Sequence, residues 1–183
     1  MEAFLVSTGT VALAEMGDKT QLLALLLAAR YRRPLPIILG IACATLANHA
    51  LAAAFGGWLA SLVGAHMLRW LLAASFVAMA VWMLFPDRAS DFQGSQKLGV
   101  FGTSLLAFFL VELGDKSQAA TVVLAANYAA LAAVIVGTTL GMLIANVPVV
   151  YAGETLLRRV PMKPLQRIAA VAFVALGILA LVA

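Results

Sequence analysis

The sequence predicts an all-α membrane protein of six transmembrane helices, arranged as two inverted three-helix repeats with both termini extracytoplasmic. Apolar residues make up 64% of the chain and charged residues 11%, against roughly 45–50% and about 25% in a soluble domain. The 183 residues suffice for about six spans of roughly 20 residues with short connections, and leave no room for a soluble domain. The third observation is a charged motif inside an apolar run, AEMGDKTQ at 14–21, that returns as VELGDKSQ at 111–118.

Apolar runs bounded by Arg, Pro, Gly and Asn clusters place the spans at 3–29, 36–60, 67–85, 98–126, 130–153 and 164–183. All six must be helical, because lipid offers the backbone no hydrogen-bond partners. The first has no basic leader and carries Glu15, Asp18 and Lys19 where a signal peptide would be apolar, so it reads as a permanent helix. The first and fourth exceed the length that crosses hydrocarbon about 30 Å thick, and must tilt, bend or break. In the fifth, Pro148 predicts a kink. Trp58, Trp70 and Trp82 suit the membrane interfaces.

The basic residues set the orientation. Arg30, Arg32 and Arg33 follow the first span, Arg88 and Lys97 the third, and Arg158, Arg159, Lys163 and Arg167 lie at or near the last connection. These share one side, with Arg69 alone on the other, so the positive-inside rule puts them in the cytoplasm and both termini outside. The +4 charge is thus accounted for by topology, and nucleic acid is not an expected partner. Cys43, the single cysteine, permits no intramolecular disulfide and reads as a small buried residue.

A shift of 97 residues superimposes Phe4 on Phe101, Ser7 on Ser104, Glu15 on Glu112, Gly17 on Gly114, Asp18 on Asp115, Lys19 on Lys116 and Gln21 on Gln118. It also carries Gly40 to Gly137, Gly56 to Gly153 and FVA at 76–78 to FVA at 173–175. This is an internal duplication: repeats at 1–86 and 98–183, joined by a cytoplasmic linker at 87–97. Three spans per repeat is an odd number, so the second enters the membrane from the opposite side. Inverted repeats of this kind place a binding site near the midplane, where the two meet.

On a continuous helix Glu15, Asp18, Lys19 and Gln21 share a face, with Asp18 about 60° and Lys19 about 40° to either side of Glu15. Each such charge costs about 2.5–3.5 kcal/mol at the centre of a span. The bland alternative is a pair of i,i+4 ion pairs, Glu15 with Lys19 and Glu112 with Lys116, that only joins helices. It leaves Asp18 and Asp115 unaccounted for. Glu15, Asp18, Glu112 and Asp115 against Lys19 and Lys116 leave a balance of −2, which one divalent cation neutralises. The donors are hard oxygens: those four carboxylates, the amides of Gln21 and Gln118, and the hydroxyls of Thr20 and Ser117 in support. Such oxygens suit Ca²⁺ or Mn²⁺ better than Zn²⁺ or Cu⁺, and Mg²⁺ sheds its water reluctantly. Met16 lies on the far side of the helix, as a packing residue.

Gly17 and Gly114 permit either a helix break or a close helix approach. The two lysines keep the carboxylates ionised when no metal is bound. Asn48 and Asn146, in the second and fifth spans, serve as interhelical hydrogen-bonding amides or as metal contacts. His49 is read as a packed or cavity-facing histidine rather than a proton carrier, and Glu154 as the partner of Arg158.

The motif Glu-x-Gly-Asp-Lys-(Thr/Ser), present as EMGDKT at 15–20 and ELGDKS at 112–117, resembles the signature of a small family of Ca²⁺/Mn²⁺:H⁺ antiporters. Its members include a Golgi protein of eukaryotes and bacterial manganese exporters. The resemblance covers nearly the whole chain. It implies export of Mn²⁺ or Ca²⁺ against protons, with Glu15, Asp18, Glu112 and Asp115 as essential cation ligands and no prosthetic group. The short linker matches the compact prokaryotic form, which implies a multi-pass protein of the inner membrane rather than the Golgi. Oligomeric state stays open, a homo-oligomer included. Two rival functions are a passive divalent-cation channel and an intramembrane aspartyl protease. The protease motif Gly-x-Gly-Asp needs glycine where this chain has Glu15 and Glu112.

Overall fold

The computed structural model describes residues 1–63, 65–83, 98–152 and 162–182. The expected linker at 87–97, Gly153, Glu154 and its expected partner Arg158, and the basic residues Arg88, Lys97 and Arg159 lie outside them. The described residues form eight helices and no strand: α1 Glu2–Glu15, α2 Lys19–Tyr31, α3 Pro34–Leu62, α4 Ala65–Met83, α5 Gly99–Glu112, α6 Lys116–Asn127, α7 Leu131–Ala152 and α8 Met162–Val182. Two of them, α3 and α7, are long and apolar enough to cross a membrane. Pro34, just inside the start of α3, needs no backbone partner there. Helix α7 continues through Pro148 without ending.

The expected first and fourth spans are each two helices rather than one. The chain leaves α1 at Glu15 and re-enters a helix at Lys19, and the same happens between Glu112 and Lys116. The cause is local. Met16 (φ −68, ψ 113) and Gly17 (φ 84) adopt the pattern of a type II turn, closed by the Asp18 N–H to the Glu15 carbonyl at 3.2 Å. Leu113 (φ −61, ψ 116) and Gly114 (φ 76) repeat it, closed from Asp115 to Glu112 at 3.1 Å. The third residue of such a turn needs a positive φ, which glycine alone adopts without strain. The shared helical face expected for the motif therefore does not exist, since the residues sit on either side of a break.

Helix α1 packs on α7, α3 on α5 and α6, and α4 on α8, while α3 and α7 meet at the centre. Small residues set the separations. A Cβ on Gly40 would come within 2.7 Å of Ser104 Cβ and 2.9 Å of the Phe101 carbonyl; one on Gly137 would meet the Phe4 carbonyl at 2.7 Å and Ser7 Cβ at 3.1 Å. The two contacts are equivalent under the 97-residue shift, Gly40 and Gly137 each meeting the counterpart of the other's partners. Phe76 of α4 also meets its own counterpart, Phe173 of α8, with ring centroids 6.2 Å apart. Close approach of backbones across small residues is how helices associate where water supplies no hydrophobic drive. At one end of the bundle Tyr128 donates to Glu2 Oε1 at 3.3 Å, bringing the start of α1 beside the connection from α6 to α7. Cys43 corrects the expectation of burial: it is exposed, on the outward side of α3. A small thiol carries too little apolar area to require the inner face.

Candidate cation site

Each turn delivers its aspartate to the first position of the following helix. Asp18 and Asp115 occupy the N-cap positions of α2 and α6 with extended backbones (φ −87, ψ 168 and φ −86, ψ 169). Neither side chain caps its own helix, so the carboxylates are directed elsewhere while the positive helix ends still favour their charge. Their partners lie on the other motif. Lys19 Nζ is 3.1 Å from Asp115 Oδ1, and Lys116 Nζ is 3.3 Å from Asp18 Oδ1. The ion pairs are crossed between the two breaks, and the i,i+4 pairing of Glu15 with Lys19 is not what forms.

Glu15, Asp18 and Asp115 are all buried and present oxygens within 4.8 Å of one another, a separation one metal ion can bridge. Thr20 donates to Glu15 Oε2 at 2.5 Å, Ser117 of the other motif lies beside the same carboxylate, and Asp115 Oδ2 is a buried oxygen that accepts no hydrogen bond among the described residues. An oxygen left so is costly in a dry interior unless something positive takes it. Glu112 stands apart from this trio. It is held to α3, where Thr45 donates to its Oε1 at 2.7 Å and Asn48 to its Oε2 at 3.2 Å. The four carboxylates, equivalent by sequence, are thus three plus one.

The amides have structural work. Gln21 Oε1 accepts the Gly17 N–H at 3.0 Å, and Gln118 Oε1 the Gly114 N–H at 2.7 Å, tying each turn to the helix it precedes. One lone pair remains on each oxygen for a cation. Gln21 Nε2 also donates to the Ala145 carbonyl of α7 at 3.0 Å. Ser117, the counterpart of Thr20, is buried and its hydroxyl lies beside the Glu15 carboxylate of the other motif. Asn48 joins helices, donating to the Phe109 carbonyl at 3.0 Å as well as to Glu112. Asn146 instead turns to its own helix, donating to the Met142 carbonyl at 3.1 Å and sulfur at 2.9 Å. His49 is fully buried beside Asn48, and Met16 is half-buried in its turn.

Thr45 was not legible as part of the site. The shift of 97 pairs it with Met142, so the repeat does not flag it, and only the packing of α3 on α5 brings its hydroxyl to Glu112. With Asp18 and Asp115 each neutralised by a lysine from the opposite break, the arrangement is unlike a pair of catalytic aspartates sharing a proton.

The family model described as "Divalent cation/proton antiporter GDT1" matches residues 3–91 and 100–183. A protein of Vibrio cholerae serotype O1 (strain ATCC 39541 / Classical Ogawa 395 / O395) named "Putative manganese exporter" is 50% identical over 179 residues, covering 97% of this chain and 90% of its own. No solved structure matches the chain.

Proposed function

The chain belongs to the divalent cation/proton antiporter family GDT1, a family of transporters and not of enzymes, and on that premise we propose that it exports Mn²⁺ from the cytoplasm in exchange for protons. Ca²⁺ is the second ion the ligands accept. The observation that carries this reading is the cluster of Glu15, Asp18 and Asp115, buried within 4.8 Å and drawn from both motifs. The manganese named for the Vibrio relative favours Mn²⁺ of the two.

The proposal includes six membrane crossings, with each broken pair, α1–α2 and α5–α6, counted as one. The two halves, 1–86 and 98–183, are inverted repeats joined through a cytoplasmic 87–97, both termini are extracytoplasmic, and the membrane is the inner membrane of a prokaryote. The packing of Gly40 and Gly137 on residues 97 apart supports the repeat. Half-helix ends facing a midplane site are the arrangement by which transporters of this construction hold ions.

In the exchange cycle the cation enters from the cytoplasm and takes the carboxylate oxygens, in competition with the ammoniums of Lys19 and Lys116. Rocking of one repeat against the other moves the access to the outer side. There the cation leaves and protons neutralise carboxylates for the return. Gln21 and Gln118 hold the turns and lend an oxygen each, Thr20 and Ser117 orient Glu15 and the facing motif, and Asn48 fixes Glu112. A passive channel would use the same ligands without the proton step.

The test is transport into proteoliposomes under an imposed pH gradient, with Mn²⁺ and Ca²⁺, for the native chain and Asp18→Asn. Uptake should follow the gradient and fall by at least about tenfold in the variant. Uptake indifferent to both would sink the proposal, and uptake sensitive to Asp18→Asn alone would favour the channel.

A further inference from the structure

The two breaks repeat one another in sequence and backbone, yet one is sealed and the other stands open. At the first, Gln21 is buried and its Nε2 donates to the Ala145 carbonyl of α7 at 3.0 Å. At the second, Gln118 is partly exposed. Its Oε1 holds the turn at Gly114, and among the described residues its Nε2 has no hydrogen-bond acceptor. Position by position the second turn is the more open, with Leu113 and Gly114 exposed where Met16 and Gly17 are half-buried. Between that turn and α3 lies a cavity of about 500 Å³, lined by Leu51 and Phe55 of α3 and by Gly114, Asp115, Gln118 and Ala119. The crossed ion pairs agree. Lys19, which pairs with Asp115 at the open break, is the partly exposed lysine, and Lys116, which pairs with Asp18 at the sealed break, is buried.

We propose that this cavity is the extracytoplasmic mouth of the cation site, and that Gln21 and Gln118 are positioning residues whose Nε2 groups seal the two breaks in turn. This rests on the antiport reading above. Water rather than lipid fills the cavity, because an amide without a partner and a partly exposed ammonium are costly against hydrocarbon. The volume suffices for a divalent ion that keeps several of its waters, each taking about 30 Å³. Asp115 lines the cavity and belongs to the carboxylate cluster, so the mouth adjoins the cluster directly. The side follows from the helices. In the proposed topology α3 starts in the cytoplasm at Pro34, and Leu51 and Phe55 lie beyond the middle of Pro34–Leu62, toward the outer face. The opposite state exchanges the roles: the Gln21 amide releases α7, and the Gln118 amide closes on α3.

The experiment labels single cysteines in intact cells with a membrane-impermeant methanethiosulfonate, which reacts with thiolates and hence only where water reaches. Ala119→Cys in a Cys43→Ser background probes the mouth. The native chain, whose exposed Cys43 lies on the outward side of α3, reads a thiol that faces lipid. Ala119→Cys should react at least about tenfold faster than Cys43. A rate equal to that of Cys43 means that lipid fills the cavity, and labelling only in inside-out vesicles means that it opens to the cytoplasm; either overturns the inference. The latches are tested in the same background by Gln21→Glu and Gln118→Glu, which keep an oxygen for the turn and remove the amide donor. Without the bond to Ala145 the mouth should close and labelling slow by about fivefold, the weight of one hydrogen bond in an equilibrium. Gln118→Glu should instead hold the mouth open and speed labelling. Any other pattern, including the parallel shifts that a general loosening gives, overturns the latch. Labelling needs no transported ion, so the uptake assay above decides antiport separately.

Discussion

Lys19 and Lys116 occupy the same place in their motifs, yet their surroundings differ. Lys116 is 3% exposed against a buried Asp18, and Lys19 is 21% exposed against a buried Asp115. Removing one member of a dry ion pair costs about 3–5 kcal/mol, because the charge left behind is buried. Lys116→Met and Lys19→Met each strand a buried aspartate, so both should lower the unfolding free energy in detergent micelles by about that much, with the smaller loss at Lys19, whose side chain is partly open to solvent. Equal losses would mean that water reaches both pairs alike. Glu112 offers a second comparison at this scale. Thr45→Val and Asn48→Ala act on the two oxygens of one carboxylate, so their effects should be non-additive by about 1 kcal/mol in a double-mutant cycle. Strict additivity would deny that the two donors share Glu112.

The element that decides the site is the break between half-helices. At Gly114 an added Cβ meets nothing within 4 Å, so the glycine is present for its φ of 76 and not for space. Gly114→Ala should cost about 1–2 kcal/mol of conformational strain and abolish transport well before it unfolds the protein, because Asp115 moves with the turn. Transport near the native rate would show that the break is dispensable. Gly56 is the opposite case: its Cβ would fall on the Val122 backbone of α6. Gly56→Ala should force α3 and α6 apart, costing about 1–3 kcal/mol through overpacking and visible as a lowered thermal midpoint. The break was partly legible. Glycine before aspartate, in a run too long for one span, left a bend, a break or tight packing open. The turn needed dihedral angles to be seen, since glycine serves both conformation and close approach.

At the scale of the whole molecule, the proposed topology predicts where reporters work. A fusion inserted within 87–97 should be active only as a cytoplasmic reporter, and one after Ala183 only as an extracytoplasmic reporter. A cytoplasmic signal from the C-terminus would remove the inversion and, with it, the two-fold site. The sequence by itself determined the apolar helical class, the helix limits at either end of α3 and α7 to within about two residues, and the identity of the charged residues. It could do so because hydropathy and helical periodicity are local properties of a chain in lipid. Only the tertiary structure decided how those residues pair. Lysines cross to the opposite motif, three carboxylates gather while Glu112 is drawn off by Thr45 and Asn48, and two halves alike in sequence become unequal in chemistry. Pairing depends on which helices touch and at what register, and that is set by the close contacts at Gly40, Gly137 and Gly141, whose partners lie too far along the chain for any local pattern to reveal.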